Sequence, residues 1–185
     1  MFTIIKKNLL GNDYVVGDIH GCFSLLSTAL DKLGFDYTTD RLFSVGDLVD
    51  RGPENEQVLQ WLKYPWFYAV RGNHDQFIAA EDEIGAMRGI HLMNGGAWYL
   101  GMPEAEQCEY IDALRCLPIA MEVATDQGLV GIVHAEVPND DWQWFKKCLT
   151  APSANIEHIE HVCLWGRNRL QQHNFGKPMP DISGV

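Results

Sequence analysis

The first half of the chain alternates short apolar runs with stretches whose apolar residues recur every three or four positions. Tyr14-Val15-Val16 reads as a strand that stops at Gly17-Asp18. Leu25, Leu26, Ala29, Leu30 and Leu33 then fall on one helical face, and Gly34 stands where helices commonly close on a left-handed residue. Leu42-Phe43-Ser44-Val45 predicts a second strand, ending at Gly46-Asp47. Pro53 suits a first helical position, with Val58, Leu59 and Leu62 as the buried stripe behind it. Trp66-Phe67-Tyr68-Ala69-Val70 predicts a third strand that ends at Arg71-Gly72-Asn73-His74. Strand, helix, strand, helix, strand implies parallel pairing through crossover helices, with strands buried on both faces.

Further on, a polar, helix-prone stretch runs from Gln76 to about Met87, and Asn94-Gly95-Gly96 marks a turn. A helix is predicted from about Pro103 to Leu114. Pro118 then opens a strand from Ile119 to Thr125, which Asp126-Gln127-Gly128 joins to a second from Leu129 to Val133 as a hairpin. From about Pro138 onward the pattern has no clear period. No internal repeat or low-complexity segment interrupts the chain.

Composition narrows the class without naming it. A length of 185 residues fits one domain with a sizeable core. An apolar share of 46% and a mean hydropathy of −0.14 describe an ordinary globular protein, and no apolar run approaches the roughly 20 residues a membrane span needs. The stretch from Met1 to Leu10 is broken by Lys6-Lys7 and lacks a signal-peptide cleavage pattern, so a cytoplasmic location is expected. Five cysteines without a C-x-x-C pair read as reduced thiols. A net charge of −11 argues against a nucleic-acid backbone as partner. Any phosphate site must therefore be made attractive locally, by metals and a few arginines, against the global field.

The chemistry lies where the predicted strands end. Gly17-Asp18-Ile19-His20-Gly21, Gly46-Asp47-Leu48-Val49-Asp50-Arg51-Gly52 and Arg71-Gly72-Asn73-His74-Asp75 each bracket acids or imidazoles with glycine, and Val133-His134-Ala135-Glu136 adds another histidine. In open α/β sheets functional groups collect beyond the carboxyl ends of the strands. Asp18 and His20, two apart in extended chain, would point the same way and grip one ion. Asp47 is placed to bridge two ions, and Asn73 with His134 would complete a second site. Mixed oxygen and nitrogen ligation suits Mn²⁺, Fe or Zn²⁺. Singly, an Asp after a strand is usually a turn residue, and His91, His158, His161 and His173, which stand outside these motifs, read as ordinary core or surface histidines. The repetition of one pattern four times argues against chance.

These motifs resemble the phosphoprotein phosphatase branch of the calcineurin-like metallophosphoesterases, and more narrowly the small bacterial and phage lambda-type serine/threonine phosphatases. The likeness extends through Met93-Asn94-Gly95-Gly96-Ala97-Trp98, His134-Ala135-Glu136-Val137-Pro138 and Leu164-Trp165-Gly166-Arg167, over roughly residues 12 to 170. It implies a single α/β domain, a β-sandwich of mixed sheets flanked by helices. It implies two divalent metal ions, Mn²⁺ foremost, one held by Asp18, His20 and Asp47 and the other by Asp47, Asn73 and His134. His74, oriented by Asp50, would be the general acid, and Arg51, Arg71 and Arg167 would bind phosphoryl oxygens while a metal-bridging hydroxide attacks directly. The implied partner is a phosphorylated protein or peptide. Family members carry a further ligand histidine in a Gly-His-Thr segment followed by more strands. The sequence reaches Val185 without one, so a C-terminally truncated domain with an incomplete second metal site is expected. Three readings stay open: a serine/threonine protein phosphatase, a dinucleoside polyphosphate hydrolase, and an inactive metal-binding or regulatory module.

Overall fold

The computed structural model describes residues 1–80, 87–150 and 155–174. Along the chain run β1 (Phe2–Ile5), β2 (Asp13–Val16), α1 (Phe23–Leu33), β3 (Arg41–Ser44), α2 (Val58–Trp61) and β4 (Phe67–Ala69). There follow α3 (Asn73–Ala79), α4 (Met87–Met93), α5 (Ala97–Leu100), α6 (Glu104–Arg115), β5 (Ala120–Thr125) and β6 (Gly128–Val133). The described chain closes with α7 (Trp142–Thr150), α8 (Ile156–Trp165) and α9 (Asn168–Asn174). They divide between two compact units, Asn8–Leu117 and the pair of segments Met1–Lys7 and Pro118–Val185.

The Asn8–Leu117 unit holds the all-parallel sheet that the alternation predicts, in the order β2-β3-β4. Val15 pairs with Phe43, and Phe43 with Tyr68. Burial on both faces applies to the central strand β3, whose Leu42, Phe43 and Ser44 are buried. It fails for β2: Tyr14 and Val16 pack against the core, while Val15, which alternates to the other face, is 61% exposed. Helix α1 buries Phe23 and Leu30 and packs Leu26 against the core, an i, i+3, i+7 stripe. That shifts the expected face, since Leu25 and Leu33 point to solvent. Gly34 closes the helix at φ 70° as expected.

Pro53 does not open the second helix. Asn55 donates to the Gly52 carbonyl at 2.8 Å, and the Glu54 carboxylate accepts the Ser24 N–H at 2.7 Å at the start of α1. This segment is thereby committed to loop contacts, and a short 3-10 turn at Asn55–Gln57 leads into a single helical turn, α2. Conversely α3 begins at Asn73, three residues before the expected polar stretch; residues 81–86 of that stretch lie outside the described ones. The core of the unit is aromatic around Trp61, which meets Phe23, Trp66 and Phe67 with ring centroids 5.1–5.5 Å apart.

The other unit contains a mixed sheet in the order β1-β5-β6. The predicted hairpin is present, with Thr125 paired to Gly128 across Asp126-Gln127. Strand β1 was not legible as a strand, because its partner in the parallel pair, β5, lies more than a hundred residues away, with Phe2 beside Ala120. The aperiodic C-terminal part folds as α7, α8 and α9, and Trp142, Phe145, Ile159 and Cys163 form a second core with Ile119, Ala120 and Val137. All five cysteines are free thiols. Among the described residues, no helix is long and apolar enough to cross a membrane.

Candidate active site

In the Asn8–Leu117 unit, all three parallel strands run out into the glycine-bracketed loops. The first two loops are joined backbone to backbone: the N–H groups of Ile19 and His20 both donate to the Asp47 carbonyl, at 3.0 and 2.9 Å, and Gly21 N–H donates to the Leu48 carbonyl. Gly72 allows the third loop to close on them, since a Cβ there would lie 2.2 Å from the Asp47 nitrogen and Oδ1. The buried Asp75 carboxylate accepts from Leu48 N–H at 2.9 Å and Gly72 N–H at 2.8 Å, so it ties the second loop to the third. Six non-glycine residues among those described have positive φ, and four of them are His20, Asp47, Asp50 and Arg51. Left-handed backbone at such side chains costs of order 1–3 kcal/mol each and persists where surrounding contacts enforce it.

Asp18 and His20 do come together, but by a different route from the extended alternation expected of them. The chain turns at His20, whose φ is 46°. His20 Nδ1 lies 2.9 Å from the Val49 carbonyl. A carbonyl only accepts, so Nδ1 carries the hydrogen and Nε2 presents its lone pair. That Nε2 stands 3.8 Å from Asp18 Oδ2 and 3.7 Å from Asp47 Oδ2. Asp47 Oδ1 accepts the His74 N–H at 2.9 Å. Ligand atoms of His20, Asp47 and His74 all lie within 4.8 Å of one another. Imidazole and carboxylate together, as in His20 with Asp47 and Asp18, form a donor set that fits a divalent first-row metal.

Arg51 crosses this group. Its two terminal nitrogens each donate over 2.8 Å, one to His20 Nε2 and one to His74 Nε2. The two imidazoles stand edge to face at 4.7 Å. Behind His74, its Nδ1 meets Asp50 Oδ2 at 2.7 Å. The other Asp50 oxygen accepts from His91 Nε2 at 3.0 Å and from Trp98 Nε1 at 2.8 Å. Burial pushes the Asp50 carboxyl upward, but hydrogen bonds from His74, His91 and Trp98 outweigh it and hold the group down at about 2. Asp50 is therefore an ionised carboxylate with no measurable exposure.

The remaining expected residues are distributed as follows. Asn73 is the first residue of α3, partly buried, directly before His74. The Arg71 guanidinium donates to Gln76 Oε1 at 2.9 Å and to the carbonyls of Arg115 and Leu117 at 2.5 and 3.0 Å, fastening the end of α6. His134 and Arg167 belong to the other unit. His134 follows β6 directly, and the next residue, Ala135, donates its N–H to the Cys163 carbonyl at 2.8 Å. The buried Glu136 carboxylate accepts the Arg169 N–H at 2.5 Å, next to exposed Arg167 in the junction between α8 and α9. Missing from the sequence reading are His91, read there as an ordinary histidine, and the role of Trp98. Nothing in the Asn94-Gly95-Gly96-Ala97-Trp98 run identifies Asp50 as the group contacted.

Parallel strands that end in clustered carboxylates, imidazoles and a bridging guanidinium define a metallophosphoesterase. The chain belongs to the calcineurin-like phosphoesterase family, whose model matches residues 14–178. It is 41% identical over 160 residues to serine/threonine-protein phosphatase 1 of Salmonella typhimurium, covering 85% of this chain and 69% of the relative. It is 35% identical over 153 residues to a symmetrical bis(5'-nucleosyl)-tetraphosphatase of Pseudomonas fluorescens, covering 78% of this chain and 48% of that one. Among solved structures, the cold-active protein-tyrosine phosphatase of a psychrophilic Shewanella superposes with a TM-score of 0.52 at 17% identity, over 91% of this chain and 56% of that one, a likeness of fold alone. This chain thus spans little more than half the length of that solved structure.

Proposed function

We propose that this protein is a metal-dependent phosphomonoesterase acting on phosphoserine and phosphothreonine in proteins. The observation that carries the reading is His74: its Nδ1 is fixed on a buried, ionised Asp50, and its Nε2 is turned toward Arg51 beside Asp47 and His20. An imidazole held in this way can deliver a proton from Nε2 to a leaving serine or threonine oxygen, while Asp50 stabilises the protonated ring. Arg51, now bonded to both imidazoles, would turn to the phosphoryl oxygens and free the His74 Nε2 lone pair for that proton. Arg71 and Arg167 receive the same phosphate-binding role from their motifs, and Arg71 would exchange its carbonyl partners for it. Asp18, His20, Asp47, Asn73 and His134 are assigned as ligands of two divalent ions, Mn²⁺ in the first place. Such ions supply Lewis acidity toward phosphoryl oxygens and a source of hydroxide near neutral pH.

The test is Mn²⁺-stimulated phosphate release from p-nitrophenyl phosphate and a phosphoserine peptide by the full chain. His74→Asn is expected to lower kcat by about 10²–10⁴-fold. Full activity in that variant would remove His74 from the mechanism. A second reading, hydrolysis of dinucleoside polyphosphates, is favoured by the tetraphosphatase relative. Side-by-side kcat/KM values for diadenosine tetraphosphate and the phosphopeptide separate the two; a strong preference for the nucleotide overturns the protein-phosphatase assignment.

A further inference from the structure

We infer that His91 is a positioning residue for the reaction, donating from Nε2 to Asp50 Oδ1 so that Asp50 Oδ2 stays aimed at His74 Nδ1; the inference rests on His74 being the proton donor proposed above. A carboxylate can rotate about its terminal bond, and one hydrogen bond to His74 would leave that rotation open. The donors on Oδ1, His91 at 3.0 Å and Trp98 at 2.8 Å, close it. Because Asp50 is ionised and can only accept, His91 must carry its hydrogen on Nε2, and His74 must carry one on Nδ1. The His74 tautomer follows: Nε2 is the nitrogen left for chemistry.

His91 is itself closely packed. It is 2% exposed, and its ring stacks on Phe77 at 5.2 Å and 21°. Phe77 in turn stands edge-on to His74 at 5.6 Å and 82°. Gly96 lies against the other part of the ring; a Cβ there would come within 2.2 Å of His91 Cδ2. Gly96 also donates its N–H to the His91 carbonyl at 2.9 Å. A buried histidine serving only as filler needs no such register. This one is the far end of a rigid line from α4 through Asp50 to the nitrogen that faces Arg51.

The test compares His91→Gln with His91→Met in the full, Mn²⁺-loaded protein. A glutamine amide nitrogen reaches about as far as histidine Nε2 and can donate, whereas methionine is of similar shape and cannot. The expected result for His91→Met is a fall in kcat of about 10–100-fold with KM nearly unchanged, and His91→Gln should recover most of it. Gly96→Ala, which pushes on the same ring from the opposite side, should follow His91→Met. Independently of turnover, proton NMR of the metal-free protein reads the His74 Nδ1–H. That resonance should stay far downfield and slowly exchanging in wild type and His91→Gln, and shift upfield or broaden in His91→Met. Equal kcat in His91→Met and wild type, equal loss in the Gln and Met variants, or an unmoved resonance in His91→Met would overturn the inference. An inactive wild type with the resonance behaving as expected would instead overturn the catalytic reading and leave the positioning intact.

Discussion

Asp50 and Glu122, buried carboxylates in different units, each accept a hydrogen bond from a tryptophan indole, and they differ in what stands behind them. Glu122 on β5 takes Trp142 Nε1 at 2.7 Å and Lys146 Nζ at 2.6 Å on the same oxygen. Burial raises its carboxyl, and the bonds from Lys146 and Trp142 prevail and lower it. Its partners are a lysine ammonium and an indole N–H, each a donor only, on a strand of regular pairing. Asp50 takes its indole from Trp98, but its other partners are the imidazoles of His74 and His91, and its backbone is held at φ 72°. An imidazole has two nitrogens, so what Asp50 fixes at one is presented at the other. A carboxylate closed off by lysine supports a fold; one capped by imidazole transmits orientation outward.

Breaking the Asp50 side should produce the largest effect. Asp50→Asn keeps the shape but loses the charge and offers a donor to His74 Nδ1, so kcat with p-nitrophenyl phosphate is expected to drop by about 10²–10⁴-fold. Wild-type turnover in this variant would sever Asp50 from the chemistry. The next effect lies in stability. The Asp50 carboxyl is depressed to about 2 from an ordinary value near 4, which corresponds to roughly 2 kcal/mol of native stability. Because the folded value is the lower one, this contribution is complete above about pH 4 and is lost as the pH falls toward 2. Urea unfolding from pH 5 to 2 should give a steeper loss for wild type than for Asp50→Asn, and parallel curves would contradict the assignment. The smallest effect on turnover is expected from Glu122→Gln: kcat within about twofold of wild type, with a stability loss of about 1–3 kcal/mol from the weakened bonds to Lys146 and Trp142. A fall in kcat as deep as that of Asp50→Asn would dissolve the contrast between the two carboxylates.

Much of the parallel unit was legible because its signals are local. Runs three to five residues long, each ended by glycine and a polar residue, gave β2, β3, β4 and the three motif loops in order. The hairpin of β5 and β6 was equally readable, since its partners are adjacent in sequence. Errors arose where a remote partner decides. Strand β1 has a short apolar run that becomes a strand only beside β5, and the exposed face of α1 was misjudged because Phe23, outside the leucine pattern, takes the core position. The short α2 follows from loop contacts made by Glu54 and Asn55, which residue type alone does not announce.

The sequence by itself determined which residues could carry the chemistry: Asp18, His20, Asp47, Asp50, Arg51, Asn73 and His74 stand in short motifs whose spacing needs no long-range information. Only the tertiary structure decided how several of them are used. It turned His20 at a positive φ to bring it to Asp18, laid Arg51 across two imidazoles, and engaged Arg71 with the carbonyls that end α6. It also carried His91 and Trp98, 41 and 48 residues beyond Asp50, onto one oxygen of that carboxylate. Spacing along a chain encodes strands, turns and helical faces. Which distant side chain meets a buried charge depends on how helices pack over the sheet, and that packing has no signature in the residues it joins.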